Sequence, residues 1–233
     1  MDREHGQGVR YMSKAVVLLS GGLDSSTTLG IANEEFDELY AMTFLYGQKH
    51  DRELESAKEL ASHYSVREHK ILDIPIDKVG KSSLLKDGED IPEERDIDEE
   101  IPTTYVPARN IIYLSYALSY AESIGADAIY IGANAVDYSG YPDCRPDFYD
   151  AFEEMAEKGT KRGVEGNPID IRYPLIDLTK GEIVKKADEL DVPLEKTWSC
   201  YKGKEKACGV CDSCKLRLKG FKEAGLEDPI EYE

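Results

Sequence analysis

Two stretches of this 233-residue chain carry residue types that do chemistry. The first is Ser20-Gly21-Gly22-Leu23-Asp24-Ser25-Ser26, directly after the run Lys14 to Leu19. Paired glycines let backbone N–H groups close around phosphate oxygens, hydroxyls add donors, and the amino end of a following helix adds positive charge. A Walker loop would carry a lysine and a dinucleotide fold three spaced glycines. Neither pattern occurs; the loop carries an aspartate instead. The second stretch is Cys200-x7-Cys208-x2-Cys211-x2-Cys214. Two thiolates on one tight turn, with Gly209 easing it, suit tetrahedral S4 coordination: zinc first, an iron–sulfur centre second, a redox pair as the residual reading. Four sulfurs close the shell to a catalytic water, so the expected role is structural, tying the C-terminal segment to the main domain. Cys144 stands apart, either a buried hydrophobe or a group facing a bound substrate, and with no base beside it in sequence the inert reading is favoured.

The elements that must position these groups alternate. Lys14 to Leu19 reads as a fully buried strand, and Ser25 or Ser26 as the N-cap of a helix to about Glu34. Strands follow at Glu38 to Phe44, Arg67 to Leu72, Ala128 to Gly132 and Ile169 to Tyr173. Helices are expected at Asp51 to Tyr64, Asn110 to Ile124, Asp147 to Lys158 and Thr179 to Leu190. Alternation of this kind implies right-handed crossovers and a doubly wound, five-stranded parallel sheet in an α/β fold, with a small helical zinc-binding segment at the C-terminal end. The phosphate loop then sits where such sheets bind ligands, at the carboxyl end of the first strand. The expected organisation is a flexible arm over 1–13, a phosphate-loop domain over 14–195 and the zinc segment over 196–233.

Charge narrows the partners. Lys and Arg number 29 against 47 Asp and Glu, a net −18, so no general field holds nucleic acid. Nine carboxylates between Asp87 and Glu100 face one base, Arg95, a local balance of −8 that reads as a solvated surface loop. From Lys196 to Lys222 the balance is +6, which would offset the −2 of a Zn(Cys)4 centre. The longest apolar run is far below the ~20 residues that span a bilayer, and the polar start lacks a signal-peptide core, so a cytoplasmic protein is expected. His5, His50, His63 and His69 are scattered and support no triad.

Ser-Gly-Gly-x-Asp-Ser after a first buried strand resembles the loop of the PP-loop ATP pyrophosphatases, which adenylate a carbonyl oxygen and release pyrophosphate. The likeness extends to Tyr46-Gly47-Gln48-Lys49-His50, Val106-Pro107-Ala108-Arg109-Asn110, the segment Gly132 to Phe148, the Leu178-Thr179-Lys180 turn and the four cysteines. In that order these motifs resemble the 7-cyano-7-deazaguanine synthase family from about Lys14 to Phe221, with Ala108 where many members carry glycine. The resemblance implies an adenine nucleotide alpha hydrolase-like fold of the HUP type, and a ligase that turns 7-carboxy-7-deazaguanine and ammonia into the nitrile with an ATP for each of two adenylations. It implies ATP with Mg²⁺ at Leu19, Ser20, Gly21, Gly22, Leu23, Asp24, Ser25, Ser26, Thr27, Thr28 and Leu29, with Asp24, Arg109 and Lys180 as catalytic groups. Asn134, Asp137, Tyr138, Asp143 and Arg145 are expected to frame the base and its carboxylate, one zinc to sit on the four cysteines, and the chain to form a homodimer. Its product would feed queuosine or archaeosine.

Three rival readings make different demands. A PP-loop tRNA thiolase also carries Cys-x2-Cys pairs but would need an RNA-binding domain, for which this chain has no length. An amidotransferase of the NAD or GMP synthetase kind would need a glutaminase domain; without one, ammonia is free or delivered by a partner. A zinc-ribbon nucleic-acid adaptor leaves Ser20 to Ser26 unexplained.

Overall fold

Alternation along the first strand decides how the layers form. In β1 (Lys14–Leu18), Val16 and Leu18 enter one apolar cluster while Ala15 and Val17, with Leu19 beyond the strand end, enter another, and all five are buried. A strand buried on both faces needs cover on both, which is the parallel-sheet condition. The computed structural model, which describes residues 12–48, 52–80, 82–85, 103–134, 141–203 and 205–233, supplies that cover. After α1 (Leu23–Glu35) come β2 (Glu38–Leu45), α2 (Arg52–His63), β3 (Glu68–Asp73), α3 (Arg109–Ile124) and β4 (Ala128–Tyr130). The chain continues through α4 (Pro146–Gly159), the single turn α5 (Lys161–Val164), β5 (Asp170–Arg172), α6 (Lys180–Glu189) and α7 (Asp212–Ala224).

The five strands are all parallel in the order β3-β2-β1-β4-β5. The order reverses between β1 and β4, and there the carboxyl ends of neighbouring strands diverge to leave a crevice. Leu29 of α1 and Leu60 of α2 bury against one face, and Leu114 and Ala117 of α3 with Phe152 of α4 against the other. The expected strands lie within a residue or two of the observed ones. Ser13 is already anchored, accepting a hydrogen bond from Glu38 N at 3.0 Å, while residues 1–11 and the acidic stretch 87–100 lie outside the described residues. Among the described residues no helix is long and apolar enough to cross a membrane.

The last two helices position the remaining parts. Thr179 caps α6: its hydroxyl accepts from Glu182 N while the Glu182 carboxylate accepts from Thr179 N at 2.8 Å. That cap fixes Lys180 as the first residue of the helix. The helices α6 and α7 approach closely through Gly220, where a Cβ would lie 3.0 Å from both the Cβ and the carbonyl oxygen of Lys180. Helix α7 thereby seats Lys180 and, through its own first turn, the cysteines.

Candidate active site

The phosphate loop is shaped by contact with α2. Gly21 has φ +88°, and a Cβ there would stand 2.3 Å from the Glu53 carbonyl oxygen and 2.7 Å from Ala57 N. Glycine alone permits both the conformation and the approach. Helix α1 begins at Leu23 with Gly22 as N-cap, earlier than the serine caps expected from sequence. The reason is that Ser25 and Ser26 turn their hydroxyls back onto the Gly22 carbonyl, at 3.1 and 2.7 Å, as residues of the first turn. Thr27 and Thr28 do the same to Leu23 and Asp24, each at 2.9 Å.

A cavity of about 290 Å³ opens over this loop, within the range of small-molecule sites. Leu19, Ser20, Gly22, Leu23, Asp24 and Ser25 line it; Ser26, Thr27, Thr28 and Leu29 do not, because they run into α1 and the core. Lys180 Nζ pairs with Asp24 Oδ2, and Asn134 Nδ2 donates to the same oxygen at 2.9 Å. The other Asp24 oxygen, Oδ1, is buried and has no hydrogen-bond partner in the described structure. A hard anionic oxygen left without a donor suits a hard divalent cation.

Arg109 enters from the first residue of α3, after Ala108 in a left-handed conformation (φ 56°). Its guanidinium lies 5.8 Å from the Tyr46 ring centroid. Burial opposes its charge, but the surrounding hydroxyls of Tyr46, Tyr113 and Tyr141 outweigh that, so it stays a cation. Among the described residues no carboxylate pairs with it.

Two residues expected at the substrate are placed elsewhere. Asp143 accepts from Asn110 N at 3.1 Å, and its carbonyl from Asn110 Nδ2 at 3.0 Å. It thus caps the first turn of α3 and does not line the cavity. Arg145 is exposed as the N-cap of α4, also away from the cavity. Asp137 and Tyr138 lie outside the described residues. Cys144, read as inert, does face the cavity and accepts from Asn110 Nδ2 at 3.2 Å.

The cysteines converge: the sulfurs of Cys200, Cys208, Cys211 and Cys214 lie within 4.8 Å of one another, all buried. The Sγ of Cys200 accepts backbone N–H bonds from Lys202 and Cys208, each at 3.4 Å, and Cys211 N points at Cys208 Sγ at 3.4 Å. Cys211 is also the N-cap of α7, whose positive end faces the sulfurs. Hydrogen bonds from Cys211 and Cys214 pull the Cys200 thiol far down, while Cys200 as neighbour pushes Cys211 up to about 11 and Cys214 higher. Four thiolates this close need a cation to ionise together, so the donor set fits a soft divalent metal.

Part of that local +6 is taken up by carboxylates. Arg217 is buried in a bidentate pair with Asp228 (2.7 and 2.9 Å), Lys206 pairs with Glu231 at 2.9 Å and Lys219 with Glu223 at 3.7 Å. The carboxylates that neutralise them come from α7 itself and the C-terminal tail. Backbone N–H groups and the helix end face the sulfurs.

This cysteine segment also completes the cavity. Trp198 N donates to the Gly21 carbonyl at 2.9 Å, and Trp198, Ser199, Tyr201 and Ser213 line the cavity. The sequence reading also missed Glu53, which faces the cavity and whose carboxyl burial pushes up to about 7 against the pull of Arg109. Its only mark in the sequence is its place just after Tyr46 to His50.

A family model described as queuosine biosynthesis protein QueC matches residues 14–225. The chain belongs to the QueC family. Its relatives include the 7-cyano-7-deazaguanine synthases of Desulfitobacterium hafniense (57% identical over 95% of this chain and 94% of that protein), Acetivibrio thermocellus (57%; 95% and 98%) and Thermoplasma acidophilum (57%; 94% and 92%). These matches run nearly end to end, so the phosphate loop, Lys180 and the four cysteines of this QueC member all fall within the shared length.

Proposed function

We propose that this chain converts 7-carboxy-7-deazaguanine and ammonia to 7-cyano-7-deazaguanine, releasing AMP and pyrophosphate. The observation that carries the reading is the pairing of an anion-binding loop with Asp24 and Lys180 at the switch point of the sheet. A carboxylate repels nucleophiles, so its oxygen must first become a leaving group, and adenylation does that. Ammonia displaces AMP to give the amide, and adenylation of the amide oxygen lets AMP leave again to give the nitrile.

Each residue has a task in this scheme. The loop amides and the hydroxyls of Ser20 and Ser25 bind phosphate oxygens. Asp24, with one carboxylate oxygen buried and unpartnered, would hold Mg²⁺, which would neutralise the departing pyrophosphate. Lys180 places its ammonium against charge that develops at the α-phosphorus, and Arg109 holds the substrate carboxylate near it. Asn134 keeps the Asp24 carboxylate turned. The four cysteines would hold a structural zinc, and their segment carries Trp198 to Tyr201 into the site. We further assign the protein to the cytoplasm as a homodimer, with no direct role for nucleic acid.

The test is direct. Incubation with Mg-ATP, ammonium and 7-carboxy-7-deazaguanine should yield AMP and a product with the mass of the nitrile. ADP in place of AMP, or turnover only with tRNA, overturns the reading in favour of another ATP-using activity or a thiolase.

A further inference from the structure

Glu53 and Tyr113 are polar groups that the scheme above leaves unused. Glu53 lines the cavity from the first turn of α2, with its backbone locked against Gly21, and its carboxylate makes no hydrogen bond or ion pair among the described residues. Tyr113, on α3, lines the same cavity, and its hydroxyl oxygen is buried with no hydrogen-bond partner among the described residues. A buried acceptor left unmade is costly, and the Tyr113 hydroxyl sharing a cavity with the half-buried, unbridged Glu53 carboxylate points to a ligand with donors.

Arg109 sharpens the point. It shares the cavity and lies near enough to oppose the effect of burial on Glu53, yet the two form no ion pair within 4 Å. The reactants of the proposed reaction are two anions and one amine. A carboxylate repels ATP and the carboxy substrate, which Arg109 attracts. Ammonium is a cation with N–H donors and no acceptor, so it complements a carboxylate and a phenol oxygen. The ring of Tyr113, stacked on Phe44 at 4.3 Å between centroids, gives an aromatic surface a monovalent cation tolerates. A magnesium ion would instead require several oxygens with retained waters, and next to Arg109 it would meet more repulsion than a single charge does.

We propose that Glu53 and Tyr113 form the binding site for the nitrogen donor, taken up as ammonium beside the carboxylate held by Arg109. The inference rests on the reading under Proposed function. Glu53 is here a binding residue: it concentrates the cation next to the activated carbon, and its carboxylate receives the proton that ammonium must lose before the nitrogen lone pair can attack.

The experiment is steady-state turnover of the full chain with ammonium varied, for wild type, Glu53→Gln, Glu53→Asp and Tyr113→Phe. Glu53→Gln should raise KM for ammonium by about tenfold or more, with KM for ATP and for the carboxy substrate within about twofold of wild type, as expected for loss of a charged hydrogen bond. Glu53→Asp should recover part of the loss, and Tyr113→Phe should raise the ammonium KM by roughly threefold. Pyrophosphate release before ammonium is added should be the same in all. An unchanged ammonium KM overturns the proposal, and so does an equal rise for ATP or the carboxy substrate, which would place Glu53 at the metal or the base. If Glu53→Gln does not fold, Tyr113→Phe decides by the same titration. Failure of wild type to form the nitrile removes the reaction itself, which is a separate outcome.

Discussion

Lys180 and Asp24 stand 156 residues apart in sequence and form an ion pair inside the cavity, with side chains 12% and 20% exposed. One belongs to the first turn of α1, the other to the first residue of α6, so the pair forms only when both helix ends face the same crevice. Two helix N-termini and a lysine make that point strongly anion-attracting, and Asp24 offsets them until an anionic ligand and its metal arrive.

Asp24→Asn should therefore lower the rate of AMP formation by roughly 10²–10³-fold. It removes the charge expected at the metal and leaves Lys180 without its partner. A single cooperative thermal transition should remain, because the core on both sheet faces is untouched. Lys180→Met should lose a comparable factor, and the double variant should cost less than the two losses together, since the residues share one interaction. Additive losses would show that they act separately. The measurement is AMP production by chromatography beside a thermal melt.

Removing the metal should act on both stability and substrate binding. Cys211→Ser, or treatment with a strong chelator, should lower the melting temperature, because buried sulfurs lose the cation that lets them ionise together. It should also raise KM for ATP, since Trp198 N bonds the Gly21 carbonyl and the cysteine segment forms one cavity wall. Elemental analysis of the native protein should find one zinc per chain in a colourless sample. A brown chromophore would point to iron and sulfur, and an unchanged KM would show that the wall does not depend on the metal.

How much of this was legible in sequence depends on range. The parallel five-stranded sheet follows from alternating strands and helices, and the phosphate loop and cysteines are contiguous patterns, so each could be read locally, whereas the strand order could not. Asp143 shows the limit of local reading, because an aspartate in a loop looks alike whether it reads a ligand or caps a helix 33 residues away. Glu53 was hidden among Asp51, Arg52 and Glu55, which look like one solvated helix face; only tertiary packing turns it inward. The basic balance around the cysteines is smaller than the count suggested for the same reason, since the carboxylates Asp228 and Glu231 that pair with Arg217 and Lys206 come from beyond the counted window.

The Arg217–Asp228 pair should be costly to break and cheap to replace. Both side chains are nearly fully buried, and Thr197 Oγ1, at 2.7 Å, takes a further guanidinium N–H while Tyr232 donates to Asp228 at 2.6 Å. Asp228→Ala should cost about 3–5 kcal/mol by leaving a buried cation alone, whereas Arg217→Met with Asp228→Leu should recover most of it. Urea unfolding of the three proteins separates the cases; equal losses would mean the tail is held by something else.

Ala108 offers a gain. It adopts φ 56° at the N-cap of α3, a conformation that costs an L-residue roughly 1–2 kcal/mol. Ala108→Gly removes that cost and adds roughly 0.5–1 kcal/mol of chain entropy to the unfolded state. The expected net is a stabilisation of about 0.5 kcal/mol, read as a shift in the urea midpoint at constant slope.

Gly21 should show the opposite sign, and a comparison isolates the cause. Gly21 and Gly125 both have positive φ, +88° and +67°, but a Cβ at Gly125 meets nothing within 4 Å, whereas at Gly21 it meets the backbone of α2 at 2.3 Å. Gly125→Ala should thus pay only the conformational cost of about 1 kcal/mol. Gly21→Ala must also push α2 away from the phosphate loop, moving Glu53 and the loop amides together. Its stability loss should exceed that of Gly125→Ala by about 1–3 kcal/mol, as for overpacked sites. AMP formation should fall in the Gly21 variant alone, because the displaced amides no longer converge on a phosphate. Equal losses in the two variants, in urea unfolding and in turnover, would show that backbone conformation and not the contact with α2 shapes the loop.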